Sequence, residues 1–350
     1  MFCLKNIRSY IGILVTGIVL TSCSGMLYTS IDVLRPARVS FPVDVNQLLV
    51  INNTLPQPHT YGHITELFNE NQRNVSVETD SLAVFALASF SESIIDKEFF
   101  ISVSLAHESV NKGADFFSVT LPDQAVLQGL ADAYGANGII ALNRILVHDQ
   151  VGELYNQENA SFIAYLEARY EHQWSIHFPQ KNQIFSLTTK DTVYWESESF
   201  SRQRALSGLP DRRDALIDGA LISGQRVVDK FIPYWEKIDR YLFDMADKSF
   251  KQGLDAVYMK DWDGAIKIWT ALLDNTKSQS KKAKYAHNLS VMHEIKGEVK
   301  EAYAYSNLAL EYFLNSVILE YKQLMFVVDQ NESLKGRMNE LEVLNKQLGE

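Results

Sequence analysis

The stretch Ala125–Val147, AVLQGLADAYGANGIIALNRILV, contains the pattern that decides the fold. Asp123 is a candidate N-cap, and apolar residues then recur at helical spacing as far as Tyr134. Gly135 follows as a residue that can end the helix in the left-handed conformation. The apolar run Gly138–Val147 then predicts a buried strand. This stretch therefore predicts one helix–strand unit of a layered sheet.

The same alternation of strand and helix precedes this unit. Val43–Ile51 is apolar and β-branched, which predicts a buried strand. Asp80 offers an N-cap for a helix over Ser81–Ile95, and Phe99–Leu105 alternates like a second strand. We therefore expect an α/β (α+β) domain with a mixed sheet and flanking helices.

One long strand, two shorter strands and a long helix are predicted after this unit. Ala164–Phe178 alternates strictly between apolar and polar residues, which indicates one long strand with one covered face. Ile184–Thr189 and Thr192–Trp195 are typical of shorter antiparallel returns. Asp211 is the N-cap candidate of a long helix that continues to Ile232.

The N-terminus has the organisation of an export signal. Lys5 and Arg8 precede the apolar run Tyr10–Leu20, which is shorter than the roughly 20 residues of a membrane span. Leu20–Cys23, LTSC, resembles the lipobox of bacterial lipoproteins. That resemblance implies cleavage before Cys23 and attachment of diacylglycerol and a further acyl chain, palmitate, to this residue. An ordinary secretory signal with an incidental cysteine is the alternative.

The residues after the signal bear on location and redox chemistry. Because Cys3 lies in the signal, Cys23 is the one cysteine of the predicted mature chain, so no internal disulfide is expected. Ser24, where some lipoproteins have aspartate, resembles the sorting signal for the outer membrane. No acidic run follows Cys23, which differs from the surface-export signal of many Bacteroidota lipoproteins. We expect an outer-membrane lipoprotein on the periplasmic face.

The charge of the chain argues against nucleic acid as a partner. The formal net charge is −10 at pH 7, and no basic cluster offsets it. An apolar fraction of 46% favours globular structure over disorder. At 350 residues the chain exceeds the usual size of one hydrophobic core, so two domains are expected.

Ala125–Ile145 resembles a unit of known envelope proteins. A helix, Gly-Ala-(Asp/Asn) and a strand occur in the α/β domains of lipoproteins of the curli-secretion, LpoB and TolB amino-terminal type. The shared motif here is GANGII, in which Asn137 stands where the related pattern usually has aspartate. The resemblance implies the α/β fold, and no particular partner.

Two segments near the C-terminus repeat one another. GLDAVYMKDWDGAIKIWTALL begins at Gly253 and SVMHEIKGEVKEAYAYSNLAL begins at Ser290. Each small first residue is followed by an alanine at the same distance, Ala265 in one copy and Ala302 in the other. This resembles the tetratricopeptide repeat, which implies an all-α module of paired helices with a groove for a peptide or protein partner.

Two repeats are too few to stand alone, so additional helices are expected to cover the ends. Asp239–Phe250 and Leu314–Asp329 are the candidates, and the tail after them is expected to be a capping helix. The predicted organisation is a signal peptide (1–22), a tether linker (23–39), the α/β domain (40–240), the tetratricopeptide-like repeats (241–330) and a helical tail (331–350).

The sequence contains no recognisable catalytic or metal motif. His59 and His63 stand four apart, but Pro58 and Gly62 favour a loop with exposed histidines over a metal site. A nucleophile elbow, a phosphate-binding loop and a dinucleotide fingerprint are all lacking in the sequence. We therefore assign no catalytic residue, no metal ligand and no cofactor.

The whole chain resembles Bacteroidota envelope lipoproteins that join an α/β domain of unknown function to carboxyl-terminal tetratricopeptide repeats. This resemblance favours a non-enzymatic binding or scaffolding role, with the α/β domain near the membrane and the helical groove open to a partner. The residues expected to line that groove are Asp255, Tyr258, Asn288 and His293.

Two alternative functions stay open from the sequence. An envelope hydrolase would have its site at the strand ends, near Asn52–His63 and Val147–Gly152. An oligomeric export component is the other alternative, which the curli-secretion resemblance suggests. The strand Ala164–Phe178 is long enough to cross a membrane in such a component. Against this role, it carries charged residues on its polar face and is expected to pair with shorter strands.

Overall fold

The computed structural model describes residues 26–113, 115–181, 183–316 and 321–349. They divide into two compact units. The α/β unit contains residues 37–233 with the last residues 347–349, and the helical unit contains residues 26–36 and 234–346. The predicted signal peptide and Cys23 lie outside the described residues.

Strands and helices follow one another along the chain in the predicted manner. The mixed-sheet domain with flanking helices comes first and an all-helical region follows, which confirms the predicted fold class. The strands are β1 (Met26–Arg35), β2 (Gln47–Asn52), β3 (His63–Glu66), β4 (Arg73–Asn74), β5 (Ser102–Ser109), β6 (Gly138–Asn156), β7 (Ser161–Phe178), β8 (Gln183–Ser199) and β9 (Tyr234–Phe243). The helices are α1 (Leu82–Asp96), α2 (Gln124–Tyr134), α3 (Arg202–Ser207), α4 (Arg212–Arg226), α5 (Lys248–Tyr258), α6 (Trp262–Asn275), α7 (Gln279–Ile295), α8 (Val299–Leu314) and α9 (Tyr321–Leu348).

The sheet of the α/β unit is organised around β6. Antiparallel β7 pairs with one edge of β6 along most of its length. Parallel β2 and β3 pair with successive parts of the other edge, β2 with its first residues and β3 with Asp149–Gly152. Parallel β5 extends the sheet beyond β2, and antiparallel β8 extends it beyond β7. The ends of β2 and β3 and the middle of β6 therefore meet in one region.

The faces of this sheet follow from the alternation in the sequence. In β7 the predicted inward side chains, from Ala164 to Phe178, are all buried. One face packs against α1 and α4, where Tyr170 donates its hydroxyl to the Leu216 carbonyl at 2.8 Å. Part of the other face packs against α2 through a smaller apolar cluster.

The helix–strand unit around α2 has the predicted caps. The Asp123 side chain accepts a hydrogen bond from the Ala125 backbone at 2.8 Å, and Gly135 ends the helix at φ 64°. Asn137 then ties the start of β2, because its side-chain oxygen accepts from Gln47 N and its amide donates to Asp44 O at 2.7 Å. The second of these bonds requires an amide, so asparagine performs a task here that aspartate does not.

The helical unit consists of two helical hairpins, α5–α6 and α7–α8, the long helix α9 and a ribbon of β1 paired antiparallel with β9. The first hairpin is tightly packed. A Cβ atom at Gly253 would lie 2.3 Å from Trp269 Nε1, so only glycine allows this approach. Within the described residues, every helix is too short or too polar to cross a lipid bilayer.

Three predicted elements are corrected. Residues 26–35 of the predicted tether linker form strand β1, because β9 supplies the partner that this segment lacks locally. The predicted helix Asp239–Phe250 is instead the end of β9 followed by α5, which begins after its N-cap Asp247. The two short returns after β7 are one continuous strand, β8, which pairs with all of β7 except its first residue. The boundary expected at residue 240 lies inside β9.

Candidate functional site

The predicted partner surface is only partly exposed. Asp255 and Tyr258 lie at the end of α5, and 70% of Tyr258 is accessible to solvent. Met259, the next residue, is 80% exposed. These three residues form one accessible site, which we call the α5 tip.

Asn288 is buried, so the prediction that it contacts a partner is corrected. None of its surface is exposed, and its side-chain amide is bound to strand β9. The Oδ1 atom accepts from the Phe243 backbone N–H at 2.9 Å, and Nδ2 donates to the Phe243 carbonyl at 3.0 Å. This part of the expected groove therefore holds an extended strand of the same chain.

His293 has a structural position at the turn between α7 and α8. Its Nδ1 is hydrogen-bonded to Glu298 Oε2 at 2.6 Å, and its ring stacks on Tyr305 with the centroids 5.0 Å apart. Lys296 also binds Glu298, and these two hydrogen bonds lower the pKa of the Glu298 carboxyl, with Lys296 the larger cause. The prediction that His293 faces a partner is corrected, since most of its side chain is covered.

His287, next to Asn288, is another polar group enclosed under β9. Its Nε2 donates to the Tyr241 carbonyl at 2.9 Å, and its Nδ1 has no hydrogen-bond partner among the described residues. Burial lowers the pKa of His287 to about 4, which keeps the imidazole neutral at neutral pH.

Helix α9 covers the other side of α7. Glu294 of α7 is fully buried and binds two arginines, Arg240 of β9 at 2.6 Å and Arg337 of α9 at 2.7 Å. Gln330 of α9 donates to Ser290 at 3.0 Å. Because β9 and α9 both pack on α7, Asn288 and Glu294 of that helix are enclosed, whereas the α5 tip is exposed.

The strand ends of the α/β unit bring together a buried charged cluster. His63 at the start of β3 is hydrogen-bonded through Nδ1 to Asp149 of β6, and both side chains have no exposed surface. Arg212, the first residue of α4, donates from Nε to Asp149 at 2.5 Å. It also donates to the Ile64 carbonyl at 2.7 Å and to Thr65 Oγ1 at 3.0 Å. This cluster joins α4 to the sheet.

The expectation of an exposed loop histidine is therefore wrong for His63. The same expectation is confirmed for His59, which is half-exposed and lies 2.8 Å from Asp80. The sequence groups Asn52–His63 with Val147–Gly152, the segments that hold His63 and Asp149, but it does not single out Asp149. Sequence reasoning missed Arg212, which is far from both segments along the chain. The one signal for Arg212 was its place directly after the N-cap candidate Asp211.

Two small cavities lie at this edge. One, of about 110 Å³, is bounded by the end of β2 and the start of α1. The other, of about 180 Å³, lies beside His148 and the backbone of Gly62, and Asp149 contributes to its wall although its carboxylate is not exposed. Burial, the larger cause, and the nearby charge of His63 lower the pKa of His148. Glu167 and Arg169 also line the second cavity, so a histidine, a carboxylate and a guanidinium lie on its wall.

The remaining histidines of β7 lie on opposite faces of the strand, as the alternation predicts. His172 and His177 are both buried, and burial lowers the pKa of each to about 4. His177 ends a buried chain of hydrogen bonds in which Asn53 donates to Asn143, Asn143 donates to Ser175, and Ser175 binds His177 at 2.6 Å. Across the part of the chain that the structure describes, no three His, Cys, Asp or Glu side chains are grouped for a metal ion.

Comparison with known proteins identifies the two regions of the chain. A family model described as "Domain of unknown function (DUF8603)" matches residues 45–243, more than half of the chain. The chain belongs to the DUF8603 family. A second model, "Domain of unknown function (DUF6340)", matches residues 251–333. No curated protein matches this DUF8603 chain.

Two solved structures have a limited likeness to this DUF8603 member. One is described as an uncharacterized protein, with 9% identity and a TM-score of 0.22 over 53% of this chain and 91% of its own. The other is described as a neuraminyllactose-binding hemagglutinin homolog from Helicobacter pylori. It has 9% identity and a TM-score of 0.26 over 55% of this chain and 84% of its own. At these TM-scores neither likeness carries an argument about fold or function.

Proposed function

We propose that the protein is a lipid-anchored component of the bacterial envelope that binds a protein partner and catalyses no reaction. Its anchor is the lipid on Cys23, and its location is the periplasmic face of the outer membrane. The support for the anchor is the LTSC sequence at Leu20–Cys23 after a short apolar run. Two or more acyl chains hold a protein stably on a bilayer.

The observation that carries the proposal is that strand β1 includes Met26, which pairs with Phe243. Only Ser24 and Gly25 separate Cys23 from this strand, so the anchor lies within about 10 Å of folded structure. Because β1 pairs with β9 inside the helical unit, the helical unit adjoins the tether. We therefore propose the helical unit as the part next to the anchor, where the sequence analysis expected the α/β domain.

The proposed partner site is the α5 tip: Asp255, Tyr258 and Met259. Tyrosine with an adjacent methionine and a carboxylate offers apolar area, a hydrogen-bonding hydroxyl and a charge in one place. Small buried residues at the helix crossings, Ala265 and Ala302, support the proposal that the two hairpins are tetratricopeptide-like. Such modules present helix surfaces to partner proteins.

The anchor and the partner site have separate tests. Intact mass of membrane-extracted protein is expected to equal the chain from Cys23 onward plus its lipid, and Cys23→Ser is expected to remain uncleaved. An unacylated N-terminus on the mature protein would refute the anchor.

For the partner site, a photoreactive amino acid replaces Tyr258 in the full-length protein in cells. The matched control places it at Tyr194, a half-exposed tyrosine of the α/β unit. Crosslinks to one protein are expected at position 258 and not at 194, and Asp255→Lys is expected to reduce them. Equal crosslinking at both positions would refute the α5 tip as the partner site.

A further inference from the structure

An aromatic cluster lies on one face of the β1–β9 ribbon, close to the start of β1. Tyr28 and Tyr241 are register partners, and their ring centroids lie 4.3 Å apart. Tyr241 also contacts Phe326 of α9, with the centroids 4.1 Å apart. Tyr28 is 68% exposed, Tyr241 and Phe326 are half-buried, and Ile31 on the other face of β1 is buried. Three rings from three elements thus form one surface, which we call the ribbon cluster.

One lysine lies at the same end of the ribbon. Phe243 is the register partner of Met26, and Lys284 of α7 lies 5.6 Å from the Phe243 ring centroid. Lysine and tyrosine side chains both suit the boundary between lipid and water, because each has an apolar body and a polar tip.

Two acidic residues also lie near the ribbon cluster. Asp239 and Asp329 are close enough for their charges to act on Tyr241. The attraction expected from this surface is therefore interfacial burial of aromatic rings, with a contribution from Lys284, rather than strong binding by charge alone.

The predicted anchor at Cys23 brings a bilayer close to the ribbon cluster. Tyr28 is five residues from Cys23 along the chain, and an extended chain of that length spans less than about 18 Å. A bilayer that holds acyl chains on Cys23 is therefore within reach of the tyrosine hydroxyl. Tyrosine favours this depth because its ring is apolar and its hydroxyl remains hydrated.

We infer that the ribbon cluster, Tyr28, Tyr241 and Phe326, rests on the phospholipid surface and orients the helical unit relative to the bilayer. The inference depends on the proposed lipid anchor at Cys23. The anchor is a single point of attachment, whereas the cluster adds a second point of contact. Two points of contact restrict the orientation of the unit more than one does.

The test uses single cysteines, because acylated Cys23 leaves the predicted mature chain without a free thiol. Met325→Cys carries a polarity-sensitive fluorophore next to Phe326, at a residue that is 37% exposed and remote from Cys23 along the chain. The matched control is Met259→Cys, at the 80% exposed methionine of the α5 tip. Both full-length acylated proteins are placed on vesicles of phosphatidylethanolamine and phosphatidylglycerol that contain a headgroup-region nitroxide quencher.

Stronger quenching is expected at position 325 than at position 259. Tyr28→Ala, added to Met325→Cys, is expected to lower the ratio of docked to undocked protein about fivefold, as the loss of about 1 kcal/mol of ring burial would. Equal quenching at 325 and 259, or no effect of Tyr28→Ala, would overturn the inference.

Vesicle flotation and intact mass separate this result from the anchor itself. A protein that floats with the vesicles and is quenched equally at both positions refutes only the bilayer contact of the cluster. A protein that carries no lipid and does not float refutes the proposed anchor, and the inference falls with it.

Discussion

Replacing Asn288 by alanine tests whether β9 is held in the helical groove. The asparagine makes two hydrogen bonds to the backbone of Phe243, at 2.9 and 3.0 Å, and is fully buried. Asn288→Ala removes both partners at once. The Phe243 N–H and C=O groups then lie in a covered region without a replacement.

The expected cost follows from these two groups. A buried backbone donor or acceptor left without a partner costs about 1–3 kcal/mol, so the two together cost about 2–6 kcal/mol. The strand end at Phe243 can relax, which favours the lower half of that range. Since about 1.4 kcal/mol corresponds to a factor of ten, opening of this part of β9 is expected to become at least about 30-fold more frequent.

Native-state hydrogen exchange with mass spectrometry measures this change on the full-length protein. Peptides that contain the end of β9 are expected to exchange faster in Asn288→Ala, with peptides of the α/β unit unaffected. Asn275→Ala is the matched control, because Asn275 is exposed and bonds only to Ala271 O of its own helix. If the two variants exchange alike at β9, the strand is not held by Asn288, and this account of the groove is wrong.

Three further predictions concern the helical unit. Glu294→Gln leaves two buried arginines without their counter-charge and is expected to cost about 3–5 kcal/mol in denaturant unfolding, part of which Arg337→Gln should restore. Burial lowers the pKa of His287 from 6.5 in the unfolded chain to about 4 in the folded one, so the free energy of unfolding is expected to decrease by on the order of 3 kcal/mol as the pH falls from 6.5 to 4. His287→Gln should remove most of this pH dependence of the free energy of unfolding. An unchanged pH dependence would contradict the prediction. Gly253→Ala places a Cβ atom against the buried indole of Trp269 and is expected to lower the free energy of unfolding by about 1–3 kcal/mol. Gly336→Ala should not lower it, because no atom lies within 4 Å of its Cβ position. Equal thermal midpoints for the two variants would show that steric crowding does not explain the glycine at position 253.

Several elements could be predicted because their signals are local. The alternation of Ala164–Phe178 determines which side chains share a face, and all the inward ones are buried in β7. Asp123 and Gly135 act within one turn of α2, so the bounds of that helix follow from short-range hydrogen bonds and one left-handed residue.

Elements whose partner is remote could not be predicted in the same way. Tyr234–Phe243 has a mixed polar and apolar sequence, and the sequence predicts a helix for its last residues, whereas pairing with β1 makes the whole segment a strand. β-Strand formation depends on the neighbouring strand more than on intrinsic preference. The partner here comes from the opposite end of the chain.

Only some of the predicted partner-binding residues are exposed, for the same reason. Asp255 and Tyr258 are exposed on α5, as helical spacing and the repeat pattern suggest. Asn288 and His293 were expected on the same surface, but strand β9 covers the first and Glu298 with Tyr305 encloses the second. Helical periodicity identifies a face and does not identify what packs against it.

The sequence by itself determined the alternation of strands and helices, the caps of α2, the buried face of β7 and the paired helices after residue 247. Only the tertiary structure decided that β1 and β9 form a ribbon on α7, that His63 is enclosed with Asp149 and Arg212, and that the α5 tip stays open. The reason is that periodicity and capping depend on residues within one or two turns. Burial depends instead on contacts between segments that are far apart in the sequence, and local periodicity does not show which segments make these contacts.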